Sequence, residues 1–139
     1  MDETIKNDIV KTVLGHYPSV QGIYLFGTHG TEYERPGSDV DIALILPPEQ
    51  ARQEGDLVLS QCRMDLESVL HKDVDLLNAR QVSTVLQKEI ISTGTILYCA
   101  DRYALDEFEM LVMSFYQKLN EERAGVLAEG LASGRFYEV

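Results

Sequence analysis

The sequence is 139 residues long, 45% hydrophobic and 25% charged, the proportions of one folded domain and not of a disordered, collagen-like or disulfide-dense chain. Twelve lysines and arginines against 23 aspartates and glutamates give a formal charge of −11, which repels a phosphate backbone and excludes non-specific nucleic-acid binding. The opening MDETIKNDIVKTVLGHYPSV lacks the apolar core of a secretory leader, and the longest apolar stretch, Ile42 to Pro48, is of strand length and too short to span a membrane. A cytoplasmic protein with no membrane partner is expected. Cys62 and Cys99 stand apart from any second cysteine pair or suitably spaced histidine, which predicts two buried, reduced thiols.

In chain order, Ile5, Ile9, Val10, Val13 and Leu14 recur at three- and four-residue steps and predict an amphipathic helix over Glu3 to Leu14. Gly22 to Phe26 reads as a short apolar strand that stops at Gly27, and THGTEYERPGS, from Thr28 to Ser38, is a polar loop. Asp39 to Leu46 begins in acid/apolar alternation and ends as a buried run, which predicts a second strand. Glu49 to Gly55 reads as a charged loop, and Leu57, Val58, Cys62, Leu66, Val69 and Leu70 predict a helix over Asp56 to His71. A strand at Asp73 to Leu77, a helix at Gln81 to Ser92 and an edge strand at Thr95 to Cys99 follow. From Arg102 to Ala128, Leu105, Phe108, Leu111, Val112, Phe115 and Leu119 form one stripe of a long helix expected to pack across the sheet.

These elements make a single α/β (α+β) domain over residues 1–139, a small mixed β-sheet with flanking helices, its core at 3–101 and a long C-terminal helix at 102–128. Arg80, Lys88 and Arg102 are scattered and read as solvated surface groups. His16, His29 and His71 share no metal-binding spacing.

The residues that carry chemistry are Gly27 and Thr28, ten residues of loop, Asp39-Val40-Asp41, and later Asp75. On a strand, side chains two apart share a face, so Asp39 and Asp41 project together. Two ionised carboxylates so close repel, and a divalent cation between them turns the repulsion into ligation; magnesium, an oxygen-seeking ion that is shared with substrate phosphates, suits them. If the strand of Asp75 pairs beside that of Asp41, a third carboxylate joins and two ions can be held. Gly27 and Thr28 offer backbone N–H groups and a hydroxyl to a phosphate, with no Cβ at the glycine to block the approach. Asp41 has the least structural alternative, since it interrupts a strand otherwise built for burial.

This combination resembles the nucleotidyltransferase superfamily that includes DNA polymerase β, and in particular its minimal nucleotidyltransferase (MNT) branch, the MntA-like antitoxins encoded beside HEPN ribonuclease toxins. The family pattern of Gly-Ser, ten residues, Asp-x-Asp and a later Asp appears as Gly27-Thr28, Asp39-Val40-Asp41 and Asp75, within the segments LFGT, GSDVDIALIL, VDLLNAR and ISTGTILYCAD. Thr28 stands in place of the usual serine, His29 where many relatives carry arginine, and the loop from Gly30 to Pro36 is acidic and aromatic.

The resemblance implies a nucleotidyltransferase fold. It implies Asp39, Asp41 and Asp75 as catalytic, metal-binding residues holding two Mg²⁺ ions, and Gly27 and Thr28 as nucleotide-binding. The implied reaction moves AMP from ATP to a tyrosine hydroxyl of a cognate HEPN toxin in a hetero-oligomer with it. Two other functions fit the same residues: an antitoxin that neutralises its toxin by steric binding alone, and a transferase acting on a small molecule of the aminoglycoside type. Tyr33 and Tyr137 are candidate self-acceptors of AMP.

Overall fold

The computed structural model describes residues 3–26 and 40–133, with the side chains of the last helix described to residue 123. Gly27, Thr28, His29, Tyr33, Asp39 and Tyr137 lie outside the described residues. The elements run α1 (Glu3–His16), β1 (Gly22–Phe26), β2 (Val40–Ile45), α2 (Pro48–Glu54), α3 (Gln61–Leu70), β3 (Val74–Asn78), a 3₁₀ turn (Ala79–Gln81), α4 (Thr84–Thr93), β4 (Thr95–Cys99) and α5 (Arg102–Ser133).

The strands form one mixed sheet in the order β3-β2-β1-β4, with β4 at an edge as expected. β1 is antiparallel to β2 and β4, while β2 and β3 run parallel. A parallel partner requires a crossover, and α2 and α3 supply it. Strand alternation divides the core. On one face Ile23, Leu25, Val40, Ile42, Leu44, Val74 and Leu76 pack with Ile9 and Val13 of α1 and Cys62 and Leu66 of α3. On the other, Tyr24, Phe26, Ala43 and Ile45 pack with Ile90 of α4 and with Leu105, Phe108 and Val112 of α5.

Several expectations are corrected. The segment read as a loop after β2 is the helix α2: Pro48 stands at its first turn, where a missing N–H costs nothing, and Gly55 closes it at φ 60° with its N–H on the Ala51 carbonyl. α3 begins at Gln61 and not at residue 56, because the Ser60 hydroxyl caps it by accepting from Arg63 N, while Asp56 accepts from Val58 N in the preceding turn. α4 likewise starts at Thr84, capped by Ser83. On α5 the predicted stripe is buried only at Leu105, Phe108 and Val112; Leu111 and Phe115 are exposed, the latter by 56%. Cys99 is exposed, with only Cys62 buried as expected.

Arg80 is not a solvated surface group. Its Nε donates to the Leu46 carbonyl (2.6 Å), an Nη to Gln21 Oε1 (2.7 Å), and its guanidinium lies 5.6 Å from the centre of the Phe108 ring. Asn78 does similar work at the end of β3, its Nδ2 donating to the carbonyls of Ala51 and Gly55. Among the described residues no helix is long and apolar enough to cross a membrane.

α5 reaches the sheet at the end opposite the start of β2. A Cβ on Gly22 would stand 2.5 Å from a methyl of the fully buried Leu105. Gly22→Ala is expected to overpack this contact and cost about 1 to 3 kcal/mol of stability, read as a lower midpoint in urea unfolding at unchanged slope. An unchanged midpoint contradicts the close packing.

The two thiols should differ sharply. Burial, aided by the neighbouring Asp65 carboxylate, pushes the Cys62 thiol up to about 12, so it stays protonated near neutral pH. In the native protein a thiol-specific reagent at pH 8 is expected to label Cys99 alone, and Cys62 only after denaturation; equal rates would contradict this packing.

Candidate active site

Register places the described acidic residues. In the parallel pair Asp41 is the partner of Asp75, and in the antiparallel pair Asp41 is the partner of Phe26. Asp75, Asp41 and Phe26 therefore form a row across three adjacent strands, and Phe26 is the last residue of β1 before Gly27. Alternation puts Val40 and Ile42 against the α1/α3 face, both buried, so Asp41 projects from the other face. Val74 and Leu76 do the same for Asp75.

The two carboxylates thus leave one sheet face from neighbouring strands about 4.8 Å apart. Asp75 is exposed and Asp41 partly so. At about 5 Å two unit negative charges repel by roughly 1 kcal/mol in water and roughly 3 kcal/mol at the dielectric of a protein surface. Hard oxygen donors at this spacing suit a magnesium ion, so the residues present fit that ion. Among the described residues no cluster of three or more His, Cys, Asp and Glu is found to hold a metal. Asp39, Gly27 and Thr28, the other expected site residues, lie outside that set.

Among the described residues this row is the outermost of the three strands on that face, with Asp75 exposed and Phe26 buried. The next row inward on the same face holds Leu77, Ala43 and Tyr24, which with Ile45, Leu105 and Ile90 belong to the core under α4 and α5. Tyr24 is also bound at its tip, where its hydroxyl donates to Glu109 Oε1 of α5 at 2.6 Å. Burial first, and then Glu109, raises the Tyr24 pKa, so the hydroxyl stays a donor.

β3 is an edge strand, and α3 holds its first residue. Glu67 Oε2 accepts from Val74 N at 2.9 Å, and Arg63 Nε donates to the Val74 carbonyl at 2.9 Å. Arg63 also donates to Glu67 Oε2 and to the Val58 carbonyl. Sequence reasoning missed both residues; their only signal is a pair of opposite charges four apart on a helix, a spacing shared by many solvated pairs.

A concavity of about 530 Å³ lined by Lys11, His16, Asp65 and Ser68 lies between α1 and α3, on the opposite side of the sheet from the carboxylates. His16 Nε2 and Asp65 Oδ2 are 2.6 Å apart there, a contact that ties the two helices together.

Residues 8–103 match the Polymerase beta, Nucleotidyltransferase family. The chain belongs to this nucleotidyltransferase family. It is 31% identical over 134 residues to the protein adenylyltransferase MntA of Shewanella oneidensis, covering 96% of this chain and 92% of that one.

Two solved structures share the nucleotidyltransferase fold over nearly the whole length. One is a toxin-antitoxin with AMP-PNP, at 30% identity and a TM-score of 0.70, covering 91% of this chain and 98% of that one. The other is the MNT antitoxin in complex with the tri-AMPylated HEPN toxin of Shewanella oneidensis, at 30% identity and a TM-score of 0.69, covering 94% and 99%. The matched family segment takes in β1, β2 and β3, and with them both described carboxylates; α5 lies almost wholly beyond it.

Proposed function

We propose that this protein is a cytoplasmic antitoxin that transfers AMP from ATP to a tyrosine hydroxyl of a cognate HEPN ribonuclease toxin. The observation that carries this reading is the Asp41–Asp75 pairing across the parallel strands, in a chain 31% identical to a protein adenylyltransferase over almost its full length. In the related complex the toxin partner bears AMP groups.

In this reading Asp39, Asp41 and Asp75 hold two Mg²⁺ ions, and Gly27 and Thr28 cradle the triphosphate. Magnesium there supplies charge neutralisation of the phosphates and a lowered pKa for the acceptor hydroxyl. With such ions bound, the carboxylates would hold them where the phosphates of the nucleotide can be oriented toward the incoming tyrosine oxygen. A bond forms between that oxygen and the α-phosphorus, the bond to the bridging β-phosphate oxygen breaks, and pyrophosphate leaves with the electron pair. The hydroxyl proton passes to a nearby base, a role that the exposure of Asp75 supports for that residue. A net charge of −11 draws the protein to the basic surface that an RNA-cleaving partner needs, and AMP on the tyrosine then adds bulk and negative charge where RNA would bind.

Exposed apolar residues on α5, Tyr103 at 77% and Met110 at 65%, favour a second reading, in which contact alone neutralises the toxin. One substitution separates the two. Asp41→Asn is expected to lower AMP transfer from labelled ATP to the toxin by more than about 100-fold, beyond the usual loss when an outer partner of a metal ligand is removed, while the melting temperature holds. Wild-type transfer by Asp41→Asn would overturn the catalytic reading. Cells protected by a variant that leaves the toxin unlabelled would favour neutralisation by contact.

A further inference from the structure

We propose that Arg63 and Glu67 are positioning residues that set Asp75 for metal binding by gripping the backbone of Val74; this rests on the reading of Asp75 as a metal ligand. In a parallel ladder the N–H and C=O of one residue point to the same side, and those of the next residue to the other. The Asp73 carbonyl accepts from Val40 N, so Asp73 and Asp75 turn their backbone groups to β2, and Val74 turns its own outward. An edge strand ordinarily leaves such outward groups to water.

Here both are taken by one ion pair. Glu67 Oε2 receives the Val74 N–H, and Arg63 Nε reaches the Val74 carbonyl. The second arm of the Arg63 fork is held on the Val58 carbonyl at 2.9 Å and the third on Glu67 itself at 3.2 Å. The pair is itself braced, since Leu66 and Cys62 anchor α3 in the core beside the Val74 side chain. Both side chains are about three-quarters shielded, with 28% and 26% of their surfaces exposed.

The residue before Asp75 is thus bonded on its outer side by α3, and Asp75 on its inner side by β2. An exposed carboxylate on an edge strand would otherwise drift with that edge relative to Asp41. A ligand pair needs its oxygens held to a few tenths of an ångström, and partners behind the ligands commonly account for 10- to 100-fold in metal affinity. The pair acts through the backbone, from the face of the sheet opposite the carboxylates.

Calorimetry of the full chain with AMP-PNP, in magnesium and in chelator, tests this. Glu67→Ala is expected to reduce the magnesium-dependent gain in AMP-PNP affinity by about tenfold or more while leaving the metal-free affinity unchanged. Glu67→Gln, whose amide oxygen can still accept from Val74 N, restores most of the gain. A full gain in Glu67→Ala, an equal loss with and without magnesium, or a Gln variant as poor as the Ala variant would overturn the positioning role. If Glu67→Ala does not fold, Arg63→Lys, which keeps the charge and gives up the fork, should show a smaller loss in the same direction, and an unchanged gain there overturns the proposal. Asp41→Asn serves as the reference: loss of the gain there with none in Glu67→Ala rejects the positioning alone, whereas a gain that survives Asp41→Asn rejects the metal site and the positioning role with it.

Discussion

The parallel register of β2 against β3 is the constraint from which the rest follows. It makes Asp41 and Asp75 partners, and the hydrophobic core enforces it. Val40, Ile42 and Leu44 on one strand and Val74 and Leu76 on the other must all face α1 and α3. A slip of one residue would turn Val74 and Leu76 away from α1 and α3 and Asp75 into that core. Burial, and not any attraction between the acids, therefore holds two like charges side by side. The same packing that stabilises the fold thus sets the spacing on which the proposed chemistry depends.

Much of this was legible in the sequence. β1, β3 and β4 fall within a residue or so of their predicted limits, because short apolar runs bounded by Gly, Pro and Asp leave few alternatives. The placement of Asp41 on the face away from Val40 and Ile42 follows from alternation alone. Strand order and register were not legible: they depend on which faces meet after the crossover, and periodicity within one segment carries no such information. α2 was hidden because the charged stretch Glu49 to Gly55 read as a loop, although a proline in the first turn begins helices as readily as it ends them. The start of α3 was placed too early because buried Leu57 mimics a helical position from within the preceding turn.

Side-chain roles were harder to read than elements. Arg80 read as a surface charge, yet its long stem lets it cross to the Leu46 carbonyl and to Gln21, more than thirty residues away in the chain. Burial lowers its pKa without neutralising a guanidinium, so it remains a cation stapling the 3₁₀ turn to β2 and the start of β1. Cys99, on an edge strand, ends exposed where composition suggested burial. On α5 the fully buried stripe residues among those described are Leu105, Phe108 and Val112, although Lys88 of α4 still reaches the Tyr116 ring, 5.2 Å from its centre. That leaves a helix whose beginning belongs to the core and whose later turns present Phe115 and Met113 to the outside.

The most direct test is a crystal structure of the full chain with Mg²⁺ and AMP-PNP. The proposed metal site predicts that carboxylate oxygens of Asp41 and Asp75 both lie about 2.0 to 2.1 Å from magnesium, with the nucleotide phosphates on the same ions. Nucleotide bound at some other face of the sheet, or magnesium held without Asp75, would contradict it.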